Sequence, residues 1–170
     1  SLAAVPRFIV LALLLLGSGS TLAALCGEPA ITPGTDKGLF IWEDCATGEW
    51  TIRVTAGGSS VRSDYEGTLS SSDPVAITAT RAVEGNDLLD TDPDPTVVDF
   101  RLWTWANGID QFTFSASSGV CLDVMIPSDA GLFVGSDLEA ATSPFNLDTL
   151  GPCSVAASIN DVVVSESEGA

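Results

Sequence analysis

The sequence predicts an all-β fold for residues 25–153 of this 170-residue chain, an antiparallel sandwich of about seven or eight strands. Three observations predict it. Beyond residue 24 no apolar stripe of helical period runs for a useful length. Short apolar or alternating runs recur instead, separated by Gly, Asp, Asn, Ser and Pro, as strands and turns require. Four cysteines, Cys26, Cys45, Cys121 and Cys153, supply staples for a domain of this size. A small β-barrel fits the same pattern and is the alternative architecture.

The elements follow in order. Gly38 to Asp44 (GLFIWED) and Trp50 to Thr55 (WTIRVT) flank Ala46-Thr47-Gly48-Glu49 and read as a hairpin. In the second run Trp50, Ile52 and Val54 share one face, and Thr51, Arg53 and Thr55 the other. Val61 to Leu69 (VRSDYEGTL) reads as an edge or bulged strand, with Gly67 marking the irregularity. Val75 to Ala82 comes next, and an acidic, Pro-containing loop runs from Glu84 to Pro95. Thr96 to Trp105 (TVVDFRLWTW) and Gln111 to Ala116 are joined through Asn107-Gly108, the strongest short hairpin signal in the chain. Val120 to Met125 closes the clear strands. Residues 127–152 are looser, with Gly131 to Val134 as a further strand candidate.

Ahead of this domain, Phe8 to Leu16 (FIVLALLLL) is an apolar run preceded by Arg7 and followed by small residues, the layout of a secretory signal peptide. Residue 1 is Ser, so the expected leader, residues 1–24, lacks the start of its basic region. Cleavage after Ala23 or Ala24 fits. The run is shorter than the roughly 20 residues a bilayer span needs, so no membrane span is expected in the mature chain. A retained N-terminal anchor is the alternative. Export places four cysteines in an oxidising compartment and argues for two disulfides. Neighbour pairing (Cys26–Cys45, Cys121–Cys153) and nested pairing (Cys26–Cys153, Cys45–Cys121) both suit the sequence. Zinc is disfavoured by the absence of histidine and of any CxxC pair.

Formal net charge is −17, from 23 acidic and six basic residues. That balance argues against nucleic acid and anionic membranes as partners, since both demand Lys and Arg. It does not argue for disorder, because 45% of residues are apolar and 17% charged. Catalytic signatures are thin. Without His there is no Ser-His-Asp or Cys-His arrangement, and GxGxxG and GxxxxGK are both missing. A non-enzymatic role is expected.

Two constellations stand out. In EGNDLLDTDPDP, Asn86, Asp87, Asp90, Asp92 and Asp94 cluster oxygen donors of the kind calcium selects. An EF-hand starting at Asp90 would need Gly and Glu where Pro95 and Arg101 stand, so the candidates are a looser calcium loop or a solvated acidic turn. Trp103 and Trp105 share one side of their strand with Arg101 and Asp99, while Val98, Phe100 and Leu102 share the other. The Trp side reads as an exposed platform for stacking sugar rings, extended by Phe112 and Phe114. Otherwise a loop or a neighbouring domain seals it. Trp42 and Trp50 read as packing residues of the first hairpin.

The last segment, residues 154–170, contains ASINDVVVSESEGA (Ala157 to Ala170), whose DVxVxE stretch resembles the entry strand of a Calx-beta domain. The resemblance implies a linker followed by the start of a calcium-binding β-sandwich module. Glu166 would then fall where an acidic residue helps ligate calcium, with Glu168 one pleat further. The expected role is a non-catalytic binding or adhesion module of a secreted or cell-surface multidomain protein. It would act on an extracellular glycan or protein ligand alongside the following domains of the same chain. Alternatives are a structural spacer or filament subunit assembling through strand edges, and a carbohydrate-binding accessory module of an extracellular hydrolase.

Overall fold

The first hairpin seeds a six-stranded sheet. In the computed structural model, which describes residues 25–58, 61–81, 88–90, 94–117 and 119–153, β1 (Gly38–Asp44) pairs antiparallel with β2 (Glu49–Thr55), Ile41 opposite Ile52. Asp44 makes the turn: its carbonyl accepts the Gly48 amide at 2.7 Å and its carboxylate the Ala46 amide at 2.9 Å. The remaining strands are β3 (Arg62–Ser70), β4 (Ala76–Arg81), β5 (Leu88–Asp90), β6 (Val97–Trp105), β7 (Ile109–Ser115), β8 (Cys121–Met125), β9 (Gly131–Val134), β10 (Glu139–Ala140) and β11 (Phe145–Asn146). They form two sheets, ordered β10-β9-β1-β2-β7-β4 and β11-β8-β3-β6-β5, which do not close into a barrel. The fold is the predicted β-sandwich.

Between the sheets lie the inward rows: Leu39 and Ile41, Ile52 and Val54, Leu69, Val98 and Leu102, Leu122, all without solvent exposure. Tyr65 is buried among them and donates its hydroxyl to the Gly131 carbonyl at 3.3 Å, tying β3 to the facing sheet at β9. Burial pushes its phenol pKa far above the usual tyrosine range. Disulfides join Cys26 to Cys45 and Cys121 to Cys153, the neighbour pairing, with Cα separations of 5.4 and 5.5 Å.

Several expectations need correcting. Among the described residues there are eleven strands, because the short β5, β10 and β11, of two or three residues each, escape a pattern reading, while β9 falls on the expected Gly131–Val134. One pair is parallel: β9 lies beside β1 with Leu132 level with Leu39. The acidic loop of residues 84–95 includes β5, which pairs with β6. β3 is no edge strand, since β6 and β8 flank it on both sides with unbroken register through Gly67. Gly67 serves close packing there. A Cβ at this position would stand 2.7 Å from the Phe100 ring and 2.7 Å from the Asp123 carbonyl.

The Asn107-Gly108 hairpin does not form. The Gly108 amide closes a tight turn onto the Trp105 carbonyl at 2.9 Å, with Ala106 at φ 55°. Both edges of β6 are already occupied, by β3 and β5, so the chain crosses to the other sheet and β7 pairs with β2 and β4. Asp110, fully buried at the start of β7, accepts the Trp103 amide at 2.9 Å and anchors this crossing. A second consequence is that Phe112 and Phe114 face inward. Both are fully buried, with Phe112 against Phe100 at 5.3 Å between ring centroids. They do not extend the Trp platform.

Candidate functional site on the five-stranded sheet

Alternation along β6 sends Val98, Phe100, Leu102 and Thr104 into the core and leaves Asp99, Arg101, Trp103 and Trp105 on the outer face. Register fixes their neighbours. Trp105 lies opposite Arg62, Trp103 opposite Asp64, Arg101 opposite Glu66 and Asp99 opposite Thr68. On the far side of β3, Met125 lies level with Glu66 and Asp123 with Thr68. Trp105 is 47% exposed and Met125 73%, and they are the exposed large apolar side chains among the described residues. Both stand on this face. A depression of about 610 Å³ lies beside Met125, walled by Glu66, Thr68, Asp99, Arg101 and Asp123.

The two arginines of the face are already engaged. The Arg62 guanidinium lies over the Trp103 ring at 4.3 Å and donates to the Asp64 carboxylate at 2.7 Å. Arg101 donates to both Asp64 oxygens, at 3.0 and 2.8 Å, and reaches Glu66 at 3.3 Å. This two-point hydrogen bonding by Arg101 holds Asp64 below the usual carboxylate range, and Asp64 raises Arg101 in return. A fixed row of charges results, Arg62–Asp64–Arg101–Glu66, with Trp103 partly covered at its end. Asp99 accepts from the Thr68 hydroxyl at 2.6 Å and Asp123 from the Ser143 hydroxyl at 3.0 Å, and both are exposed.

Of the predicted site residues, Trp103, Trp105 and Arg101 therefore come together on one open surface. Trp105, and not Trp103, offers the free ring. The calcium candidates are not assembled by anything described. The Asp94 carboxylate accepts the Thr96 amide at 2.9 Å and its hydroxyl at 2.7 Å, which lowers its pKa and closes an ordinary turn. Asp90 sits in β5 with its backbone level with Asp99. Asn86, Asp87, Asp92 and Glu166 lie outside the described residues, as do the leader and the tail. Cys26, Glu43 and Cys45 bring potential ligand atoms within 4.8 Å of one another. Both sulfurs are spent in the disulfide, and only a free thiolate binds metal well.

Pattern reading missed Met125, Asp64, Glu66 and Asp123. The signal was present: in RSDYEGTLS and CLDVM, charged or polar residues alternate with buried ones, marking a second outward face. What hid it was the treatment of β3 as an edge. The opposite outer face differs. There Trp42 is buried beneath the Arg53 guanidinium at 4.6 Å, and Arg53 is held by Gln111 at 2.7 Å and by Glu28.

No family model, curated protein or solved structure matches this chain. Among the described residues no helix is long and apolar enough to cross a membrane, and two disulfides are typical of extracellular proteins.

Proposed function

We propose that this domain is a non-catalytic binding or adhesion module of a secreted or cell-surface protein, engaging its ligand through the outer face of the five-stranded sheet. One observation carries the reading. Trp105 and Met125 stand exposed on the same face, at either end of a row of ion-paired charges. Exposed apolar anchors beside ordered polar groups are how binding surfaces are built, with aromatic side chains supplying most of the contact energy. The rigid Asp64–Arg101 pair supports this, because a pre-organised surface loses less entropy on binding. Should the tail form a Calx-beta-like module, as its resemblance implies, this domain would act beside it.

The test is an array of extracellular glycans and peptides probed with the wild-type chain and with a Trp105→Ala/Met125→Ser variant. Saturable binding by the wild type that the variant loses is the expected result. Identical signals from both proteins across the array would remove this face from consideration. Assembly through strand edges ranks second. It has one six-residue edge in β4, which a register shift between Ile77 and Ala79 interrupts.

A further inference from the structure

We infer that the ligand of this face is a basic segment of a protein partner, in which Arg or Lys adjoins an apolar side chain. The inference rests on the proposed binding role and assigns its chemistry. The positive charges of the face are consumed internally: Arg62 by Asp64 and Trp103, Arg101 by Asp64 and Glu66. What the depression presents outward beyond the Arg101–Glu66 pair is Asp99 and Asp123. Carboxylates only accept hydrogen bonds. The surface is therefore rich in acceptors and poor in donors, and it carries net negative charge within a chain of net charge −17. An acidic glycan or acidic peptide meets repulsion here. A cationic segment is drawn in over a long range and finds charge-assisted partners at the surface.

The apolar anchors fit the same ligand. Trp105 offers an exposed ring, and a guanidinium stacks favourably on an indole face, as Arg62 already does on Trp103. Met125 is flexible and polarizable, suited to covering an aliphatic side chain of variable shape. Their spacing can be worked from register. Trp105 is level with Arg62 and Met125 with Glu66, four residues along β3 and two strand spacings apart. That offset is about 16 Å, or roughly five residues of extended chain. Glu66 lies level with Met125, and Asp99 and Asp123 lie one pleat beyond, so the carboxylates adjoin one anchor.

The experiment titrates the full chain with a dye-labelled dodecapeptide in which Arg alternates with Leu, with its Glu-for-Arg counterpart, and with the neutral sugar cellotetraose. The Arg peptide should bind and the Glu peptide should not. Raising salt from about 0.05 M to about 0.5 M should weaken binding by about tenfold, because the exposed charges become screened. Trp105→Ala should cost about tenfold, and Asp99→Asn and Asp123→Asn about two- to fivefold each. The two Asn variants keep an oxygen for the Thr68 and Ser143 hydroxyls, so folding is preserved. If cellotetraose binds instead, insensitive to salt and lost in Trp105→Ala, the face is a sugar site. The cationic inference then falls while the binding role stands. Arg-peptide binding that no substitution on this face weakens would place the contact elsewhere on the acidic surface and overturn the inference. No Trp105-dependent binding of any probe, here or on the array, overturns both.

Discussion

Gly67→Ala is the sharpest test of how the five-stranded sheet is built. Gly67 sits in the inward row of β3, level with Phe100 on one side and Val124 on the other. An added methyl would meet the Phe100 Cζ at 2.7 Å and Cε1 at 3.0 Å, and the Asp123 carbonyl oxygen at 2.7 Å. The ring can tilt, but the carbonyl belongs to the backbone of β8 and moves only with its strand. Overpacking of this kind costs about 1–3 kcal/mol. Replacing Gly by Ala returns roughly 0.5–1 kcal/mol by restricting the unfolded chain. The middle of these ranges gives a net loss of about 1 kcal/mol, which in a domain of some 130 residues lowers Tm by about 4 °C. Urea unfolding followed by tryptophan fluorescence reads the change directly. In a Phe100→Leu background the ring contacts vanish and the carbonyl contact stays, so the cost of Gly67→Ala should shrink without disappearing. A Gly67→Ala protein as stable as wild type would refute the close approach of β3, β6 and β8.

Three further outcomes follow from the geometry. Acrylamide quenching should fall sharply in Trp105→Phe, because Trp42 and Trp50 are buried and Trp103 is partly covered by Arg62; an unchanged quenching constant would mean the ring is not open to solvent. Asp64 has its pKa depressed in the folded state by Arg101, so the stability it contributes is present above the unfolded carboxylate value near 3.8 and is lost as pH falls through the lower folded value. Wild type should therefore lose stability relative to Asp64→Asn on acidification below about pH 4, and parallel curves for the two proteins down to pH 2 would contradict the Asp64–Arg101 pairing. The disulfides close sequence separations of 19 and 32 residues. Cys26→Ser/Cys45→Ser and Cys121→Ser/Cys153→Ser should cost about 3.3 and 3.7 kcal/mol by chain entropy, read as shifts in the denaturation midpoint. A loss below 1 kcal/mol from either pair would count against its role as a staple.

Local alternation carried much of the fold. It gave the two faces of β2 and β6, because a period of two is written into any strand with one buried side. Partner choice was not written there. Asn107-Gly108 has the chemistry of a hairpin turn, yet whether β7 pairs with β6 depends on whether the edges of β6 are free, and β3, distant in sequence, and β5, just upstream, take both. The same long-range pairing moved Gly67 from a suspected bulge to a packing position, and moved Phe112 and Phe114 from the surface to the core. For the site, Trp103, Trp105 and Arg101 were legible because they share one strand. Asp64, Glu66, Asp123 and Met125 come from two other strands and enter only through register.

The two outer faces of the sandwich start from similar materials and end differently, and the difference favours the five-stranded side for the proposed binding role. Each carries a tryptophan capped by an arginine, Trp42 by Arg53 and Trp103 by Arg62. On the six-stranded sheet the cap is complete. Arg53 is secured by Gln111 and by Glu28 of the segment that the Cys26–Cys45 disulfide fastens to β1, while Phe40 stacks on Phe133 at 5.4 Å. Trp42 and Phe40 are consequently buried without help from outside. On the five-stranded sheet, Arg62 reaches Trp103 but not the next aromatic in the row, and Trp105 stays open at the turn where the chain leaves for the other sheet. Burying Trp105 and Met125 still offers hydrophobic free energy, on the order of 1.5–3 kcal/mol for each side chain fully covered. Among the described residues the six-stranded face exposes no large apolar side chain, so the proposed partner would gain most by docking on β3, β6 and β8.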